Sequence, residues 1–167
     1  MVTAERSTTV GEILLSQAGS LLLFVGIASS LILLSSVGRP IGASSKNLVL
    51  FSQALPFVLL TYCFVTDARS IELVYRFGGD DLPLFYRVSA VWSSRSGPLL
   101  LWAAMMAIVT RLMSNKEHVV SVEVAIMHAW TAFLLVLSAM LGPFESTISS
   151  TSSGLNPLLQ TDLMVIH

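Results

Sequence analysis

Residues 13–37 read ILLSQAGSLLLFVGIASSLILLSSV, and this stretch decides the fold. It carries no charge, and its only interruptions are serines, glycines, Ala and Gln17. A helix needs about 20 predominantly apolar residues to cross a bilayer, so the run is long enough to span with some tilt. Ser16, Ser20, Gly26 and Ser30 recur at helical spacing, which would let a neighbouring helix approach closely. Gly38, Arg39 and Pro40 close the run. Before it, Arg6 is accompanied by Glu5 and Glu12, and the apolar stretch is too long for the core of an ordinary signal peptide, so it reads as a retained anchor.

Three more apolar runs follow. One covers roughly 48–65, with Pro56 in its middle, a position tolerated in membrane helices when neighbours satisfy the freed carbonyl. Another covers about 98–113, bounded by Arg111 and Lys116, and the last about 119–141, ending at Gly142-Pro143. The composition agrees: of 167 residues, 54% are hydrophobic and 11% charged, against about 25% charged in an average soluble domain. That balance excludes an ordinary soluble domain and a disordered chain. A net charge of −1 excludes a basic nucleic-acid-binding footprint. The single cysteine, Cys63, excludes a disulfide scaffold and reads as a small buried hydrophobe.

The segment 66–97 is too polar to span. Leu84, Val88 and Val91 fall at helical spacing, with Phe85 and Trp92 beside them, Asp80 and Asp81 ahead and Pro83 placed for a first turn. The pattern predicts a short amphipathic helix lying in the membrane interface. Tyr86, Trp92 and Trp102 suit the headgroup level. Two readings of Tyr86, Arg87, Trp92 and Arg95 stay open: lipid anchors, or a docking surface for a planar, anionic or amphipathic ligand, with arginines as carboxylate forks. The short linkers 38–47 and 114–118 hold Arg39, Lys46 and Lys116 against Glu117 alone. By the positive-inside rule they lie on the cytoplasmic or matrix side, with both termini and 66–97 on the other. The fold class expected is therefore an all-α integral membrane protein, with four transmembrane helices and an interfacial helix between the second and third.

Of three histidines, His118 sits in a charged turn. His128 lies deep in the fourth run, where it would hydrogen-bond a neighbouring helix or ligate a metal or haem iron. His167, the last residue, has no role when taken alone. Gly78–Gly79 and Asn156-Pro157 read as turns. No metal-binding, phosphate-binding or Ser-His-acid motif is evident.

Three blocks point further: LLTYCFVTDARSIELVYRFG (59–78), LPLFYRVSAVWSSRSGPLLLW (82–102) and GLNPLLQTDLMVIH (154–167). In order and spacing they resemble the N-terminal part of the CcmF-type cytochrome c biogenesis proteins, the haem lyase subunits of the System I pathway. The resemblance implies cytochrome c maturation: a membrane haem lyase takes haem from a haem chaperone and presents it to the thiols of apocytochrome c, which a thiol-reducing partner keeps reduced. It implies that His167 is an axial ligand to the haem being delivered, and that Tyr86, Arg87 and Trp92 stand near the haem-handling region. It places the chain in a mitochondrial or bacterial inner membrane, with the termini on the intermembrane-space or periplasmic side.

Two departures accompany the resemblance. Where the family carries Gly-x-His-Glu-Gly, this chain has Ser93, Ser94, Arg95, Ser96 and Gly97. The family also continues past the position of His167 with a Trp-rich haem-handling region, a second outer histidine and the histidines of a resident haem b. The implied partners therefore include the remaining CcmF-type fragment or fragments, besides the lipid bilayer. The alternative is a structural membrane subunit, a scaffold in an inner-membrane complex without haem chemistry.

Overall fold

The computed structural model describes residues 2–79, 81–114 and 119–147, with side chains from Leu14 onward. His118, His167 and the whole 154–167 block lie outside the described residues. Six α-helices follow in order: α1 (Val2–Leu34), α2 (Ala43–Val65), α3 (Glu72–Phe77), α4 (Leu84–Ala90), α5 (Ser96–Met113) and α6 (Val122–Met140), with a 3₁₀ turn at Val91–Ser93 after α4. Among the described residues, four segments are long and apolar enough to cross a membrane: Leu14–Leu34, Ala43–Val65, Ser96–Met113 and Val122–Met140. Among the described residues, extended pairing is limited to isolated bridges such as Val37 with Val120.

The four long helices form a ring. α1 packs on α2 and α6, and α5 packs on the same two helices from the other side. Leu23, Leu60, Cys63, Phe64, Leu100, Ala103 and Leu135 fill the middle. Large apolar side chains also cover the outside of the ring, with Phe24 65% exposed, Leu48 71% and Met140 78%. In water that surface would be prohibitive; facing lipid it is the expected arrangement. Cys63 is free and fully buried in the core.

Close approach between α1 and α2 follows from one glycine and one proline. Pro56 has no N–H, so the carbonyl of Ser52 one turn earlier loses its helical partner. Gly26 sets its bare Cα against that carbonyl: a Cβ there would lie 2.8 Å from the Ser52 oxygen and 3.2 Å from Leu135. Beside this contact the hydroxyls of Ser29 and Ser52 share a hydrogen bond of 2.8 Å.

The two ends of the ring are tied differently. At one end the short linkers meet: Gly38 N–H donates to the Val120 carbonyl and Val120 N–H to that of Arg39. There the Lys46 ammonium donates to the Ser114 carbonyl, and Arg111 Nε to the Asn47 side chain at 2.7 Å. At the other end α6 stops at Gly142, whose φ of +58° suits glycine as a left-handed helix terminator. The chain then turns back on α1, where Phe144 is buried against Gly19 and its carbonyl accepts from the Ser16 hydroxyl. Glu72 N–H donates to the Glu145 carbonyl and Thr147 N–H to that of Ser70. This latch fixes α3 beside the end of α6.

Candidate functional site

Polar side chains gather in two places. The first is the middle of the bundle. Gln53 of α2 is 1% exposed, and its Nε2 donates to Ser30 Oγ of α1 at 2.8 Å. The same nitrogen lies 3.0 Å from His128 Nδ1 of α6, so Gln53 reaches across the ring. The Ser30 hydroxyl proton is already donated to the Gly26 carbonyl, leaving Ser30 Oγ to accept. Gln53 Nε2 is therefore the donor on both sides, and His128 Nδ1 accepts, which places the ring proton of a neutral imidazole on Nε2. His128 thus takes the first of its two expected roles, a hydrogen bond to another helix. Its partner is 75 positions away in sequence.

The second place is the latched end. α4 stands on the terminus of α2 through Arg87, whose Nε donates to the Leu82 carbonyl at 2.9 Å and whose Nη1 donates to the Val65 carbonyl at 3.1 Å. Val65 is the last residue of α2, and its carbonyl is one of those a helix end leaves without an internal partner. The face of α4 turned to the bundle is made of small residues, with Ser89 and Ala90 buried. Leu84, Phe85 and Trp92 point outward at 62%, 66% and 43% exposure. Tyr86 is half-buried on the same helix.

Next to α4 runs an open groove of about 470 Å³, within the range of ~300–1,000 Å³ typical of small-molecule sites. One wall is α3, with Leu73 and Phe77 as apolar surface and a Glu72–Arg76 ion pair along its outer edge. The opposite wall is the turn into α5, with Ser93, Arg95 and Ser96. Leu141, Gly142 and Glu145 close the end. Among the described residues, the Ser93 and Ser96 hydroxyl oxygens have no hydrogen-bond partner, although both are shielded from solvent. Arg95 is exposed. The turn is tight because Ser94 Oγ donates to the Val91 carbonyl and accepts from Gly97 N–H, both at 3.0 Å. A Cβ on Gly97 would collide with that same carbonyl.

Of the residues singled out from sequence, Tyr86, Arg87 and Trp92 share one short helix and its following turn, and none of them lines the groove. His167 lies outside the described residues. Ser93 and Ser96 stood out in the sequence only as a departure from a family pattern, and Arg95 also as a lipid anchor or docking arginine; the three form one side of the groove.

Across an alignment that covers 68% of its length, the chain is 31% identical to the cytochrome c-type biogenesis protein ccl1 of Rhodobacter capsulatus. It is 32% identical over 68% of its length to cytochrome c-type biogenesis protein CcmF of Pseudomonas aeruginosa, and 31% identical over 72% to that of Escherichia coli. The chain belongs to the CcmF-type cytochrome c biogenesis family. It spans about a fifth of the length of these relatives. No family model matches it, and no solved structure does. With four apolar helices and membership in the CcmF-type family, it is an integral membrane protein.

Proposed function

We propose that this chain acts in cytochrome c maturation in an inner membrane, as one part of a CcmF-type assembly that presents haem for covalent attachment to apocytochrome c. The observation that carries the reading is the similarity, over about two thirds of the chain, to proteins named for cytochrome c-type biogenesis. Haem is the substrate here. The chain contributes a rigid four-helix wall and the groove end of the bundle, which faces the periplasm or intermembrane space. α4 rests in the interface on that side, with Leu84 and Phe85 toward lipid or a partner surface. Tyr86 and Trp92 border the haem, and His167 supplies one axial ligand to its iron, a task for which neutral imidazole is well suited. Arg87, with donors committed to the ends of α2 and its own turn, acts by positioning α4.

Thioether formation joins the haem vinyl groups to two cysteine thiols. The protein's task is to hold these groups in register. The haem chaperone, the thiol-reducing partner and the remaining CcmF-type fragment or fragments supply haem, reduced apocytochrome and the second ligand.

The test is the visible spectrum of haem bound to the assembled complex, together with the yield of holocytochrome c. His167→Ala should shift or abolish the haem absorption and lower the yield. An unchanged spectrum and yield would remove the ligand assignment. Normal maturation by an assembly that never holds haem at this chain would make the chain a scaffold.

A further inference from the structure

The wall formed by Ser93, Arg95 and Ser96 has three features that the bundle interior lacks in combination. Two serine hydroxyls are withdrawn from water without a partner among the described residues. A buried hydroxyl left this way is costly, so its persistence calls for an occupant. Between them in sequence stands Arg95, exposed on the groove and making no hydrogen bond or ion pair within the described chain. The other arginine lining the groove, Arg76, is already engaged by Glu72 on the facing wall. Arg95 is thus the groove's available fork of N–H donors, and a serine hydroxyl redirects its proton by a single rotamer change.

The remaining surface narrows the ligand. Leu73, Phe77 and Leu141 give the groove apolar walls, while Glu145 puts a carboxylate at the far end. A diffuse polyanion would meet Glu145 and Glu72 as well as Arg95. A single carboxylate carried on the edge of an apolar body meets Arg95 at one wall and apolar surface beyond it. An arginine fork pairs with a carboxylate through two parallel hydrogen bonds, and hydroxyls complete the set of donors.

We propose that the groove is a carboxylate site in which Arg95, helped by Ser93 and Ser96, binds a haem propionate. This rests on the reading that the chain takes part in presenting haem.

The experiment uses the chain assembled in membranes with its partner chains, and compares three probes: haem, haem with both propionates methyl-esterified, and iron-free protoporphyrin followed by its fluorescence. The wild-type assembly should bind the free acids about tenfold more tightly than the ester, the scale expected for one charge-assisted pair. Arg95→Ala should erase that preference for haem and for protoporphyrin alike. Arg95→Lys, which keeps the charge and loses the fork, should restore only part of it. The combined Ser93→Ala and Ser96→Ala change should reduce it by a smaller factor. Preference for the free acid that survives Arg95→Ala overturns the assignment and leaves the haem reading standing. Failure of the wild-type assembly to bind haem or protoporphyrin overturns both.

Discussion

At the middle of the ring, Gln53 gives both N–H bonds of its amide to Ser30 and His128, and three of the four spans are joined through one side chain. At the latched end, Ser93 and Ser96 keep hydroxyls without partners among the described residues, beside an exposed Arg95. The two regions hold similar chemistry in opposite states. In hydrocarbon surroundings a polar group is retained when a neighbouring helix answers it, and it then fixes how the helices pack. At the groove, two shielded hydroxyls stay unanswered by the described residues next to an arginine that is exposed. The comparison is not absolute, since Gln53 Oε1 also lacks a partner. The carbonyl oxygen of the central amide is the loose end of this arrangement among the described residues.

The comparison can be broken most severely at Gly26. Gly26→Leu should have the largest effect, because its Cβ alone meets the Ser52 carbonyl and Leu135. Overpacking of this kind costs about 1–3 kcal/mol or more, and the expected result is lower yield of folded protein in detergent and earlier thermal unfolding. Gln53→Leu should come next, removing two interhelical hydrogen bonds at about 1–2 kcal/mol. A double-mutant cycle of Gln53→Leu with His128→Leu should then show a coupling of about 0.6–1.7 kcal/mol. Additive losses would mean that the 3.0 Å contact carries no energy. Arg95→Ala should be the mildest for folding, within about 0.5 kcal/mol as for other exposed positions, while its effect on the free-acid preference for haem is large. A loss of stability at Arg95 as great as at Gln53 would dissolve the distinction between the two regions.

The four spans were legible because long uncharged runs allow little else, and the ends of three of them fall within a few residues of the apolar boundaries. The start of α1 was not legible: it continues back to Val2, through Ala4, Glu5 and Arg6, residues that favour helix and need no apolar environment. The amphipathic pattern around 84–92 correctly placed a helix but not its end. Ser94, by bonding the Val91 carbonyl and the Gly97 N–H, turns the chain before α5. Such local side-chain competition leaves little periodic signal. The pattern also left open which face looks inward. Small Ser89 and Ala90 pack on the bundle, and large Leu84 and Phe85 do not.

The candidate site was legible only in part. Arg87 was visible as a charge on an apolar helix, but its attachment to the Val65 carbonyl depends on where α2 ends in space. The groove is made by three separate segments, and only the latch from Glu72 to Glu145 brings them together. Nothing in the spacing of Glu72, Arg95 and Glu145 announces it. The pairing of Gln53 with His128 was likewise hidden, since a polar residue in a span advertises a partner without naming it.

The central claim is that this chain forms part of the place where haem is held, and the most direct measurement is haem capture by the membrane assembly with and without it. Haem supplied to the complete assembly should give a defined absorption band that falls away when this chain is omitted and returns when it is added back. A band of equal intensity and position in both preparations would contradict the account.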